Sequence, residues 1–443
     1  MKKKLIAIVL IVMFVMTGCN YSQTGIEGLL QPPKLSQQQN EIYNALVKNK
    51  EKTIKLKYPR KGEFTSAFLI NNIDEEPTDE AIVFYEKTDN SAPNMPLRIE
   101  VFDQVNGKWV STNEVGVEAS EVEKVSFEKI DEKIYIVIGF NQIKKSEKLV
   151  KIYSFENGTK LIETNILRCN NYEVFDINGD GTKEVVTIET KDKESEVKTV
   201  TANVYEMVSS GIKPIGHEFM DPNVDEYVEI HQGRLLGGAP ALYLDCLKGT
   251  TNLSTEILTM RDNKLVNLIY NPNKKYDQVP NTLRQYGAVS VDLNKDGVYE
   301  IPQLRTALGY ETQEPHLQLN FTEWYNYKGD QLELVKTTYI DYQLGYVFEL
   351  PEKWIGLVTI DEVISEREVI FYEYNEANPI MNEKLASIKV MKKSEYIAQK
   401  KLNEEYSIVK ENGQLVYLYR IYDTSSNLAI TISDIENCFS LIS

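Results

Sequence analysis

The chain opens with three lysines, Lys2 to Lys4, followed by an unbroken apolar run from Leu5 to Met16. That run of 12 residues is too short to cross a bilayer as a helix, which takes about 20, but it suits the hydrophobic centre of a secretory signal peptide. From Asn20 to Leu35 the apolar periodicity lapses, and Gly25, Gly28 and the Pro32-Pro33 pair mark a tether. Ser36 and Gln39 then make a capping box, with Ile42, Ala45 and Leu46 on one helical face, so a short helix is predicted to about Lys50. Thr53 to Tyr58 alternates, with Ile54, Leu56 and Tyr58 on one side, which predicts a half-buried strand ended by Pro59.

Beyond residue 60 the pattern repeats. A striped extended segment, a polar turn and a second extended segment recur at Leu97–Asn113, Leu149–Thr164, Thr199–Gly216, Ser254–Ile269 and Phe321–Lys336. Turn pairs such as Asn106-Gly107, Asn157-Gly158 and Lys328-Gly329 supply the positive φ that tight hairpins need. With Phe102, Tyr153 and Tyr205 as markers the spacing is 51 and then 52 residues, and Thr259 and Tyr325 continue it at 54 and 66. A period near 50 made only of strands predicts β-propeller blades, each burying its faces against its neighbours. The expected fold is therefore mainly β, a propeller of about five four-stranded blades over residues 36–340, with the helix at its start.

The last hundred residues break the period. Gly345–Leu350, Val369–Tyr374, Leu385–Met391 and Gln414–Ile421 read as strands, Asn412-Gly413 as a hairpin turn, and Ser394–Lys401 as a helix capped by Ser394. Residues 341–443 are expected to form a separate small α+β domain.

Composition narrows the function. Hydrophobic residues at 42% and charged residues at 26% exclude a wholly disordered chain, and a mean hydropathy of −0.35 excludes a polytopic membrane protein. The 66 acids against 49 bases give a net charge of −17, which repels phosphate backbones and argues against nucleic-acid binding. Cys169, Cys246 and Cys438 are too few for a disulfide framework and suit buried thiols in strands.

Met16-Thr17-Gly18-Cys19 resembles the lipobox of bacterial lipoproteins, with Met16 where that family usually has Leu. The resemblance implies that residues 1–18 are a removed signal peptide and that Cys19 is diacylated and becomes the new N-terminus. Two acyl chains are enough for stable anchoring. Residues 19–35 would then be a lipidated tether, and the protein extracytoplasmic on the cell membrane.

Two segments carry a loop chemistry. Phe175–Ile188 (FDINGDGTKEVVTI) and Val291–Leu304 (VDLNKDGVYEIPQL) place oxygen ligands at loop positions 1, 3, 5 and 9, with Gly at position 6. Ca²⁺ takes six to eight oxygens, and alternating side chains on a tightly curled loop converge on one point. The acid at position 9 leads directly into a strand, unlike the position-12 acid of an EF-hand. This resembles the hairpin loops of FG-GAP (integrin α-type) or VCBS-like propeller repeats. That resemblance implies a structural Ca²⁺ site at Asp176, Asn178, Asp180, Glu184 and the Thr182 carbonyl. A second would lie at Asp292, Asn294, Asp296, Glu300 and the Val298 carbonyl. A degenerate copy runs from Asn72 to Glu80, with Pro77 in place of the Gly.

Catalytic signatures are sparse. His217, His231 and His316 have no metal-ligand spacing, and the chain lacks a GxSxG elbow, a P-loop and a GxGxxG after a strand. Trp109, Trp324 and Trp354 follow strand patterns and are expected in cores. The residues leave two classes. One is a non-enzymatic surface protein binding an envelope protein or a glycan. The other is an extracytoplasmic polysaccharide hydrolase or lyase, whose acids would cluster in one concave pocket away from the outer hairpin loops.

Overall fold

A computed structural model describes residues 35–48, 54–73, 76–87, 95–142, 146–156, 160–191, 198–275, 278–285, 287–377, 383–399, 403–422 and 425–442. The signal segment, Cys19 and the tether up to residue 34 lie outside these, as do Asn157 and Gly158. The chain is mainly β, in several antiparallel sheets. Among the described residues no helix is long and apolar enough to cross a membrane.

Helix α1, Gln37–Val47, starts at the expected capping box: Ser36 Oγ accepts the Gln39 N–H at 3.2 Å, and Gln39 Oε1 accepts the Ser36 N–H at 3.0 Å. Sheet 1 comprises β1 (Ile54–Leu56), β2 (Phe68–Asn71), β3 (Glu80–Lys87), β4 (Leu97–Val105) and β5 (Lys108–Val117). Here β1 and β2 share one edge of β3, with registers Leu56↔Tyr85 and Phe68↔Val83. Sheet 2 is the meander β6 (Glu121–Ile130), β7 (Lys133–Asn141), β8 (Lys148–Glu156) and β9 (Lys160–Cys169). Sheet 3 repeats it with β10 (Asn171–Phe175), β11 (Glu184–Lys191), β12 (Thr199–Val208) and β13 (Gly211–Met220). Sheet 4 repeats it again with β14 (Glu226–Arg234), β15 (Pro240–Lys248), β16 (Asn252–Arg261) and β17 (Lys264–Asn267), and β18 (Arg284–Gln285) adds to β16.

Sheet 5 holds β19 (Ile301–Thr306), β20 (Asn320–Lys328), β21 (Gln331–Asp341) and β22 (Tyr346–Glu349). The sixth sheet has β23 (Val358–Val363), β24 (Glu368–Glu373), β25 (Glu383–Lys392), β26 (Ser407–Asn412) and β27 (Leu415–Ile421) in the order 23-24-25-27-26, and β28 (Phe439–Leu441) returns to pair with β22. Two short helices, α2 (Lys393–Ala398) and α3 (Ile432–Cys438), accompany it. The N-cap of α2 is Lys392, two residues before the expected Ser394. The expected boundary at 340/341 falls within the hairpin of β21 and β22.

Each of sheets 1 to 4 has a buried second strand, and in sheets 1 to 3 the fourth is exposed. The second strands are nearly continuous apolar runs: β3 (EAIVFYEK) is buried along six residues and β15 (PALYLDCLK) along six. A strand buried on both faces loses its alternation, because each side chain meets another layer. The fourth strands β5, β9 and β13 keep alternation and carry exposed residues.

The core clusters explain this gradient, since each lies between consecutive sheets. Ile82, Phe84 and Ile99 of sheet 1 pack with Ile136, Ile138 and Phe140 of sheet 2. Val137 and Ile152 pack with Val174 and Val185 of sheet 3. Val186 and Ala202 pack with Leu244 and Leu258 of sheet 4, and Tyr243 and Ile257 with Ile301 and Tyr327 of sheet 5. The ends are covered differently. Ile42 and Leu46 of α1 lie on Val83 and Tyr85 of sheet 1, and one cluster joins Phe321, Tyr346 and Phe348 to Trp354, Phe371 and Tyr417.

Four of the five sequence markers fall at the same structural feature. The hairpins β4–β5, β8–β9, β12–β13 and β20–β21 shift register at Val101/Phe102, Ile152/Tyr153, Val204/Tyr205 and Trp324/Tyr325. A bulge at a fixed place bends and twists the strand, so the repeat seen in sequence is a repeat of sheet shape.

Candidate functional site

The first nine-residue loop joins β10 to β11, and the second leads into β19 from the isolated bridge Val291↔Glu300. In the first, Asp176 caps the turn: Oδ1 accepts the N–H groups of Gly179 (2.7 Å) and Asp180 (3.1 Å), and Oδ2 accepts that of Gly181 (2.9 Å). Asp180 Oδ1 accepts the Thr182 N–H at 2.8 Å and hydroxyl at 2.6 Å, which holds its carboxyl below the ordinary value. Gly181 sits at φ +95°, a conformation that costs glycine little. Glu184 is fully buried, and its Oε2 accepts the Ile177 N–H at 3.1 Å. Burial, with the charges of Asp180 and Asp176, raises its carboxyl to about 7.

The second loop repeats the geometry. Asp292 Oδ2 accepts the Gly297 N–H at 2.8 Å, Asp296 Oδ1 the Val298 N–H at 2.7 Å, and Glu300 Oε2 the Leu293 N–H at 2.9 Å. Glu300 is fully buried, and burial raises its carboxyl. The degenerate copy keeps one element of this scheme: Glu80, also fully buried, accepts the Ile73 N–H at 2.6 Å. Residues 74 and 75 of that copy lie outside the described residues.

The donor set suits a hard cation. Asn178 Nδ2 lies 3.0 Å from Asp180 Oδ2 and 2.9 Å from Glu184 Oε1, so acids from positions 5 and 9 converge on one atom. Half a turn of that amide presents its oxygen to the same point. In the second loop Asn294 Nδ2 lies 3.0 Å from Asp296 Oδ2, and Glu300 Oε1 is buried with no hydrogen-bond partner among the described residues. Among those residues no three acidic, histidine or cysteine side chains already form a closed metal cage. Positions 1, 3, 5 and 9 would supply side-chain oxygens, with the carbonyls of Thr182 and Val298.

A second feature lies where the first strands meet. A polar cavity of about 370 Å³ is bounded by β6, β10 and β14 and by Lys61 and Gly62. Glu173 of β10 ties the three strands, accepting from Lys124 of β6 at 2.5 Å and from Gln232 of β14 at 2.6 Å. The N–H groups of Arg60 and Lys61 bond the Glu123 carbonyl, both at 2.9 Å. Each acid on this wall faces a basic group: Glu123 pairs with Lys148, Glu173 with Lys124, and Glu229 lies 3.3 Å from His231 Nε2. His231 also stacks on Tyr299 of the neighbouring loop, centroids 4.6 Å apart.

Sequence reasoning located both loops but not this cavity, because its walls come from strands about 50 residues apart. Cys169 and Cys246 are buried thiols as expected, and Trp324 and Trp354 are core residues. Cys19 lies outside the described residues. No protein-family model matches the chain, and no curated protein matches it significantly.

Proposed function

We propose that this is an extracytoplasmic binding protein, lipid-anchored through Cys19, in which propeller-type blades present a polar axial cavity to an envelope protein or glycan. The observation that carries the reading is the convergence of β6, β10 and β14 on one cavity, tied by Glu173. First strands meeting at an axis are what blades stacked face to face produce. The cores between consecutive sheets and the recurring bulges support the same arrangement, with α1 and the C-terminal sheet covering the two ends.

Ca²⁺ is the structural ion of this reading, held at Asp176, Asn178, Asp180, Thr182 and Glu184, and at Asp292, Asn294, Asp296, Val298 and Glu300. Bound there, it would neutralise crowded acids and tie the first hairpin of each blade. The ion pairs of Glu123 with Lys148 and of Glu173 with Lys124 in the axial cavity favour binding over hydrolysis. A glycosidase needs one carboxyl protonated and another free to attack or activate water.

The test uses the soluble chain starting at Ser36, immobilised and exposed to cell-envelope extract with and without Ca²⁺. Lys61, exposed at the cavity mouth, is replaced by Trp to block entry. Retention of an envelope component by the wild type and its loss in Lys61→Trp is the expected result; equal retention would remove the cavity from the account. The anchor is tested separately. Cys19→Ala should abolish fatty-acid labelling and membrane attachment, and wild-type labelling in that variant would refute lipidation.

A further inference from the structure

Beside β16 of sheet 4, with no lining residue shared with the axial cavity or the two loops, lies a second cavity of about 560 Å³. That volume falls in the range of small-molecule sites. One wall is apolar, built by Ile269, Val279, Pro280 and Leu283; the other, beside the Asp221–Lys248 ion pair, carries Ser254 and Glu256 of β16. By strand alternation these two share a face with Leu258, which lies in the core between sheets 3 and 4. Two polar residues thus stand at positions that the fold would otherwise fill with hydrocarbon.

Glu256 is 1% exposed. Its Oε1 accepts the Asp221 N–H at 3.1 Å and Asn267 Nδ2 at 2.7 Å. Its Oε2 accepts from two neutral donors, the Tyr227 hydroxyl at 3.4 Å and the Cys246 thiol at 3.7 Å. The neighbouring ammonium is already engaged: Lys248 Nζ lies 2.6 Å from Asp221 Oδ2. Among the described residues no cation forms an ion pair with Glu256. Burial raises its carboxyl to about 6, against the opposing pull of its hydrogen bonds and of the nearby Lys248 charge. Ser254 is 3% exposed, and its Oγ has no hydrogen-bond partner among the described residues. A buried hydroxyl without a partner is costly and rare, and here it lines a cavity with room for much more than a water molecule.

The missing partner must donate hydrogen bonds, carry positive charge and bring hydrocarbon for the apolar wall. We propose that this cavity binds a small aliphatic primary ammonium compound, its –NH₃⁺ received by Glu256 and Ser254 and its chain by Ile269, Val279, Pro280 and Leu283. An alcohol could meet Ser254 but not the charge, and a carboxylate would be repelled by Glu256, the one acid of the cavity without an ion pair among the described residues.

The probes are n-butylamine, 1-butanol and butyrate, titrated at pH 7.5 into the full-length chain in a non-ionic detergent. Binding is read by calorimetry, and folding by circular dichroism. Saturable butylamine binding is expected, at least tenfold tighter than butanol, with none for butyrate. Glu256→Gln keeps an oxygen for Asp221 and Asn267 and should weaken butylamine at least tenfold while leaving butanol unchanged. Leu283→Trp changes a half-exposed rim residue and should block both probes, which keeps the test decisive if Glu256→Gln does not fold. Equal affinity for amine and alcohol, no saturable binding of any probe, or a folded Glu256→Gln variant with wild-type amine affinity would each overturn the proposal.

Discussion

The two nine-residue loops share a motif and the hydrogen bonds it encodes, yet their surroundings differ. Loop 176–184 closes a full ladder, with β10 and β11 paired from Asn171↔Ile188 to Phe175↔Glu184. Loop 292–300 has only the single bridge Val291↔Glu300 beneath it. Sheet 4 compensates. The Arg234 N–H bonds the Gly297 carbonyl at 2.8 Å, the Arg234 guanidinium reaches the Asp296 carbonyl, and Val298 is buried where its counterpart Thr182 is exposed. A protein cation thus already braces the second loop. The first has none of this kind among the described residues, since Lys183 turns away to Glu128 at 3.1 Å. One motif therefore gives a turn held by its own hydrogen bonds in one setting and a turn braced by a neighbouring strand in the other.

The largest expected effect strikes the brace. A Cβ on Gly233 would lie 2.6 Å from the Gly297 carbonyl oxygen and 2.9 Å from the Tyr299 ring, neither of them a flexible chain end. Gly233→Ala should cost about 3 kcal/mol, as overpacking against rigid neighbours does. Hydrogen exchange should rise across 292–300 and stay unchanged across 176–184. Exchange rising equally in both loops would break the comparison.

Ca²⁺ should act mainly through the first loop. A site occupied only in the folded state stabilises by about 2.7 kcal/mol at a hundredfold excess over Kd. Asp180→Ala should remove most of the difference in unfolding free energy between Ca²⁺ and chelator, and Asp296→Ala a smaller part. Removing the competing cation sharpens the contrast: Arg234→Gln should increase the Ca²⁺ dependence of the second loop by about 1 kcal/mol, the scale of a nearby charge in a partly exposed site. The same denaturation series checks both.

The smallest effect concerns position 4. Gly179 has φ +78° in the first loop, whereas Lys295 takes φ +61° in the second, a conformation costing a side chain about 1 kcal/mol. Lys295→Gly should stabilise by about 0.5 kcal/mol and Gly179→Lys should destabilise by about 1 kcal/mol, both read from urea midpoints.

Much of this fold is legible in the residues because it rests on local rules. Alternation and Asn-Gly turns mark the hairpins, and the aromatic markers fall on the bulges. Asp-x-Asn-x-Asp-Gly specifies turn contacts within six residues of one another. What the residues hide is long-range. Arg234 reaches a loop some 60 residues away, and nothing around Arg234 in the sequence announces it. Ser254 and Glu256 look like outward positions of an ordinary strand until sheet 3 is laid against them. Helix α3 was missed although Thr431 and Asp434 form a capping box, because the segment has only two turns and little periodicity. The C-terminal strands were found, but not that β28 returns to β22 and joins them to sheet 5 in one core.

The most direct test is calorimetric Ca²⁺ titration of the chelator-treated chain, with Mg²⁺ as the control ion. A flexible ring of several oxygens suits Ca²⁺, whereas Mg²⁺ demands octahedral geometry and retains its waters. The account predicts a Ca²⁺ heat that Mg²⁺ does not reproduce, largely lost in Asp180→Ala and largely kept in Asp296→Ala. No Ca²⁺ heat, or a heat abolished by Asp296→Ala and untouched by Asp180→Ala, would contradict it.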